Sequence, residues 1–174
     1  MDRASVPSNV RDEVMHHLMG TYGTSIKRMC WMILHDVETA ADAMQDTFVK
    51  AYRNIERLME IPPDEEKQWL MRIAINTCND YKRSAWFRHV DRRVDPEDLG
   101  ISVELTSDTD LSLFQAVQSL PTKMKEIVLL FYYQDMSVHE IAGTLGISGP
   151  TVYSRLKKAQ NKLRVELLER EVMM

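Results

Sequence analysis

The stretch GISGPTVYSRLKK, residues 146–158, holds side chains suited to meeting a polyanion. The hydroxyls of Thr151, Tyr153 and Ser154 come with the cations Arg155, Lys157 and Lys158, and no acid interrupts them. Val152, Leu156, Ala159 and Leu163 follow at spacings of four, three and four, which puts them on one apolar face of a helix. With that face inward, Thr151, Tyr153, Ser154, Lys157 and Lys158 point elsewhere. In a DNA major groove such groups reach base edges, where a good bidentate pair discriminates by about 1–3 kcal/mol. Arg155, Lys162 and Arg164 suit phosphate contacts, which position without specifying. The competing reading is a solvated basic face on a plain helical hairpin.

The residues in front of this helix decide how it is presented. Ser137-Val-His-Glu140 is a capping box, in which the Ser137 side chain and Glu140 each satisfy a backbone N–H of the other. Ile141, Ala142 and Leu145 form the apolar face of a short helix. Gly146 follows, able to take the positive φ that ends a helix and turns the chain. Ser148 or Gly149 caps the next helix, with Pro150 in its first turn, where a missing N–H costs nothing. Two helices, a glycine turn and the small Ala159 at the crossing predict a helix-turn-helix.

A second constellation is ADAMQDTFVKAYR, residues 41–53. Asp42, Gln45 and Asp46 fall at i, i+3 and i+4 and share one helical face. Met44, Phe48, Ala51, Tyr52 and Ile55 are expected on the opposite, buried side. The acid–amide–acid patch reads either as solvated surface or as a protein-docking face. The segment WLMRIAINTCNDYKR, residues 69–83, combines core positions (Leu70, Ile73, Ala74, Thr77) with Asn76, Asn79, Lys82 and Arg83. Trp69, Tyr81, Trp86 and Phe87 interleave with these cations. Aromatics among cations suit single-stranded nucleic acid, where stacking contributes about 1–3 kcal/mol per base; each ring equally suits a core, and Trp69 is expected there.

Helical periodicity dominates the 174 residues and no strand alternation is visible. Helices are expected at 9–20, 22–35, 38–58 and 66–86, then at 110–119, 122–134, 138–145 and 149–169. The interval 88–109 is acidic, contains Pro96 and Gly100 and lacks a sustained apolar stripe, which is linker composition. The expected architecture is all-α: two helical domains, 10–87 and 110–170, behind a tail at 1–9 and joined by a flexible acidic linker. With 44% hydrophobic residues there is material for two cores.

The net charge of −4 argues against nucleic acid only until it is mapped. Residues 72–93 hold six bases against two acids, residues 95–110 hold six acids and no base, and residues 148–164 hold five bases and no acid. A polyanion feels these local fields rather than the sum. MDRASVPSNV has no apolar run, so no signal peptide is expected, and nothing approaches the roughly 18 apolar residues of a membrane span. Cys30 and Cys78 lie in apolar helical patterns, consistent with buried thiols in a reducing cytoplasm. No nucleophile–base pair or glycine-rich phosphate loop is visible. The five histidines lack metal-ligand spacing, and His16 and His17, being adjacent, read as surface residues. No catalytic residue, metal or cofactor is therefore expected.

In series, ADAMQDTFVKAYR, WLMRIAINTCNDYKR and LPTKMKEIVLLFYYQDMSVHEIAGTLGISGPTVYSRLKKAQNKL resemble the two conserved regions of extracytoplasmic-function sigma factors, the bacterial RNA polymerase specificity subunits. The resemblance spans 10–86 and 110–168. It implies that Asp42, Gln45 and Asp46, with Phe48 of the same helix, bind the β′ clamp helices of core polymerase. It implies that Asn76, with Asn79, Lys82 and Arg83, contacts the −10 element, Asn76 at the pocket for a flipped base, with the loop 59–67 as lid. Residues 151–158 match the −35 reader, the set being Thr151, Tyr153, Ser154, Arg155, Lys157 and Lys158. The acidic link resembles the segment that threads toward the RNA exit path. Implied partners are core polymerase (β′ clamp helices and β flap), promoter DNA and an anti-sigma factor, all without membrane insertion. Tyr153 stands where the family often has a basic residue, and Pro62-Pro63 stiffen the lid. The residues taken alone leave two other readings open: a dimeric DNA-binding regulator, or a helical interaction protein with an incidental basic face.

Overall fold

The computed structural model describes residues 6–84 and 108–173. The chain divides into two compact units at residues 94 and 95. Among the described residues the secondary structure is helical throughout, as the periodicity predicts. The acidic stretch 88–107, Trp86 and Phe87 lie outside the described residues.

The first unit holds α1 (Ser8–Leu34), α2 (Val37–Arg53), α3 (Ile55–Glu60), a 3-10 turn (Pro63–Glu65) and α4 (Glu66–Arg83). Helix α1 is continuous, where the sequence predicts a break near residue 21. Gly20 and Gly23 lower helix propensity by about 1 kcal/mol each, but neither adopts a positive φ. Burial of Leu18, Ile26, Met29, Ile33 and Leu34 along the same helix outweighs that cost. The helix ends at His35, in the left-handed region at φ 62°, whose N–H donates to the Trp31 carbonyl at 2.8 Å. Asp36 then caps α2, its carboxylate accepting from the Thr39 N–H at 2.8 Å.

The expected helix 38–58 is interrupted at Asn54, whose side-chain amide donates to the Lys50 carbonyl at 2.8 Å while the chain re-enters helix as α3. Helix α2 packs against both α1 and α4. Ala40, Ala43, Thr47 and Ala51 form its buried face, and their small volumes let the neighbouring backbones approach. Leu70, Met71, Ala74, Ile75 and Cys78 complete the core from α4. Cys30 and Cys78 are both buried and are not joined in a disulfide.

The second unit holds α5 (Asp108–Ser119), α6 (Thr122–Val128), a π turn (Leu129–Tyr133), α7 (Val138–Leu145) and α8 (Gly149–Met173). The sequence predicts plain helix to residue 134. The last turn instead widens, with the Gln134 N–H reaching the Leu129 carbonyl at 2.9 Å. Asp135, at φ 54°, then reverses the chain and returns Met136 to the core. Helix α8 is the spine against which α5, α6 and α7 pack. Ile127, Leu130, Ile141, Val152, Leu156 and Ala159 meet in the interior.

Candidate protein-docking and nucleic-acid interfaces

Three surfaces follow from these elements. On α2, Asp42, Gln45 and Asp46 are exposed together, as their spacing requires. Phe48 is not part of that surface. It is 5% exposed and fills the core beneath, so it supports the face without being able to touch a partner. Tyr52 departs the other way: expected to be buried, it is 40% exposed, with the Arg11 guanidinium 5.7 Å from its ring centroid. Arg11 also pairs with Glu56. Val49, 45% exposed, joins Tyr52 in continuing the Asp42–Gln45 ridge by two further turns. Sequence reasoning missed this apolar extension, although the positions i+7 and i+10 from Asp42 carry the signal.

The acids of this ridge are not equivalent. The Tyr81 hydroxyl of α4 donates to Asp46 Oδ2 at 2.7 Å. Burial, the hydrogen bond to Asp46, and the Asp46 and Asp42 charges all push the Tyr81 phenol above its usual range, so it remains a donor at any physiological pH. One turn further along α2, Lys50 Nζ donates to Thr77 Oγ1 at 3.1 Å and to Asp80 Oδ2 at 3.3 Å. The ridge is thereby stitched to α4.

On α4, Asn76 and Arg83 are exposed, and Asn79 and Lys82 are half-buried. Asn76, Asn79 and Arg83 fall at i, i+3 and i+7, and exposed Arg72 extends their face by a turn toward the N-terminus. Asp80 borders the face, 3.8 Å from Arg83 and 3.3 Å from Lys50, moderating its positive charge. The loop 59–67 runs from exposed Met59 through the 3-10 turn into α4. Glu66 anchors its end, accepting from the Tyr22 hydroxyl at 3.2 Å with His17 Nε2 at 3.1 Å. Burial, then the Glu66 charge and hydrogen bond, raise the Tyr22 phenol. Trp69 is half-buried at the start of α4, while His16 and His17 are surface residues.

The third surface is the start of α8. The capping box is formed, with the Ser137 N–H donating to Glu140 Oε2 at 2.7 Å and the Glu140 N–H to Ser137 Oγ at 3.2 Å. Gly146 takes φ 65° at the end of α7. Ser148 is the cap of α8, accepting from the Thr151 N–H at 3.3 Å. The Thr151 hydroxyl lies 2.7 Å from Ser148 Oγ, so it serves this cap and is half-buried. Tyr153 (56% exposed), Ser154, Lys157 and Lys158 are outward, and Arg155 is half-buried. Lys157 Nζ sits 5.7 Å from the Tyr153 ring centroid, a cation–π pair that presents the two side chains together. Such a face offers an aromatic edge, hydroxyls and two ammonium groups to one stretch of groove.

Among the described residues, no group of three or more His, Cys, Asp or Glu side chains is arranged to hold a metal ion. No described helix is long and apolar enough to cross a membrane.

Comparison with known proteins gives these surfaces a common context. The family model for sigma-70 region 2 matches residues 18–88, and that for sigma-70 region 4 matches residues 110–163. The chain is similar to the probable RNA polymerase sigma factor RfaY of Xanthomonas campestris, 28% identical over 79% of this chain but only 36% of the relative. It is similar over nearly full lengths to the ECF RNA polymerase sigma factor SigL of Mycobacterium tuberculosis, 29% identical over 97% of each. The fold resembles that of the sigma factor RpoE of Bartonella quintana, solved with the anti-sigma factor NepR, at TM-score 0.70 and 20% identity, covering 90% of this chain and 97% of that one. The chain belongs to the sigma-70 family of RNA polymerase sigma factors, within its extracytoplasmic-function group.

Proposed function

We propose that the chain joins core RNA polymerase in the cytoplasm and carries it to promoters, with region 2 spanning 10–87, region 4 spanning 110–170 and the acidic link at 88–109 between them. Asp42, Gln45 and Asp46 engage the β′ clamp helices, with Val49 and Tyr52 as an apolar continuation. Region 4 meets the β flap and lays α8 into the −35 duplex. Tyr153, Ser154, Lys157 and Lys158 read base edges there, Arg155 contacts phosphate, and Thr151 holds the helix start. Asn76 hydrogen-bonds a −10 base turned out of the stack, Asn79, Lys82 and Arg83 hold the strand beside it, and the loop 59–67 closes over it. Turning out a base costs a few kcal/mol, which these contacts must offset. The chemistry of RNA synthesis belongs to the polymerase. An anti-sigma factor is the proposed restraint.

The observation that carries this reading is the conjunction, in one chain, of an exposed acid–amide–acid ridge on α2, a cationic asparagine face on α4 and a capped basic helix α8. In vitro transcription with purified core polymerase on a library of promoter-like templates tests it. Initiation at defined sites is expected only when the chain is added; no initiation across the library by a folded chain contradicts the reading.

A further inference from the structure

Tyr81 lies between the two surfaces of the first unit and belongs to neither. Its hydroxyl donates to Asp46 Oδ2 at 2.7 Å although 35 residues separate them in sequence. The ring is half-buried against the bundle, so the donor is held in place rather than swinging on a mobile side chain. Asp42 and Gln45, on the same ridge, are exposed. The Lys50 bonds to Thr77 and Asp80 fix α2 against α4 one turn away, which keeps the Tyr81–Asp46 geometry in register.

A carboxylate on an exposed helix samples several rotamers, and ordering it on binding weakens the complex. A fixed donor on one oxygen removes that loss before the partner arrives. We infer that Tyr81 is a positioning residue for polymerase docking: it holds Asp46 through Oδ2 and leaves Oδ1 for the partner. This rests on the docking role proposed above for the α2 ridge.

The test is the affinity of the full chain for purified core polymerase, measured for Tyr81→Phe, Asp46→Asn, Asp42→Asn and the two double variants containing Y81F, with a thermal melt of each. The phenylalanine keeps the ring and removes only the donor. Y81F is expected to weaken core binding about three- to ten-fold, the range for having to order one side chain on binding. In the D46N background, where the charge being positioned is gone although the amide oxygen can still accept from Tyr81, it should add little further, whereas in the D42N background its loss should multiply. A purely structural Tyr81 would lower the melting temperature and weaken both backgrounds alike. That outcome, or wild-type affinity for Y81F while D46N binds weakly, overturns the inference. Wild-type affinity for D46N itself would remove Asp46 from the docking face and take this inference with it.

Discussion

The two units present their functional side chains by opposite means. In the first, polar groups in and beside the proposed interfaces are tied across helices: Asp46 to Tyr81, Lys50 to Thr77 and Asp80, Glu66 to Tyr22. In the second, Tyr153, Ser154, Lys157 and Lys158 make no hydrogen bond beyond α8 among the described residues, and precision comes from the helix itself. The capping box, the left-handed Gly146 and the Ser148 cap set where α8 begins, and the buried Val152, Leu156 and Ala159 set its rotation. A helix entering a groove can leave its reading residues mobile, because DNA orders them. A face that docks a protein and a pocket that takes a base are served better by side chains already in position.

This contrast can be broken or sharpened from either side. The largest effect is expected from replacing Asp42 with asparagine and Gln45 with alanine together. Core affinity should fall about 100-fold or more, the scale of losing paired interface anchors, with the circular dichroism of the chain unchanged. Unaltered assembly would assign the α2 ridge to plain solvated surface. Asn76→Ala should leave core affinity intact and slow promoter melting about ten-fold, the equivalent of a hydrogen bond or two to the displaced base. Permanganate reactivity of unpaired thymines reports this directly, and an equal loss of core affinity would show that α4 is not a separate DNA surface.

A third substitution addresses the second unit alone. Nothing lies within 4 Å of a side chain added at Gly146, so Gly146→Ala meets only the cost of its φ of 65°, about 1–2 kcal/mol. Hydrogen exchange should quicken across α7 and α8 and not across α1, α2 and α4. The smallest effect concerns Glu166, whose carboxyl is held below its usual range by the Ser119 hydrogen bond and then by Arg170, against an opposing contribution from burial. Because the folded group binds its proton less readily than the unfolded one, its stabilisation is present above the unfolded pKa. It is lost as pH falls from the ordinary glutamate range through the lower folded value. Acid titration of the second unit's melting should flatten slightly in Glu166→Gln.

The same contrast explains what was legible in the sequence. The second unit advertises itself through local signals: Ser137, Glu140, Gly146 and Ser148 act within a few residues of their own positions, and α7 spans 138–145 as expected. The first unit depends on contacts between distant segments. The Tyr81–Asp46 bond exists only because α4 packs on α2, so spacing gives no hint of it. The sequence places Tyr52 in the core because the apolar stripe of α2 looks wider than the alanine-lined face that is buried. The family resemblance groups Phe48 with the docking set, whereas its spacing already turns it inward, and it is buried. The break expected near residue 21 is overridden by tertiary burial along α1, and Asn54 ends a helix through a side-chain bond to Lys50 that its residue type alone does not specify.

The central claim is that two separate DNA-facing surfaces act together once polymerase holds them. Selection of bound sequences from a random duplex library, by the free chain and by the chain with core polymerase, tests it most directly. The complex should enrich a two-part motif with a fixed spacer, and the free chain should enrich none. A palindromic motif selected equally well by the free chain, with no change on adding core polymerase, would contradict it.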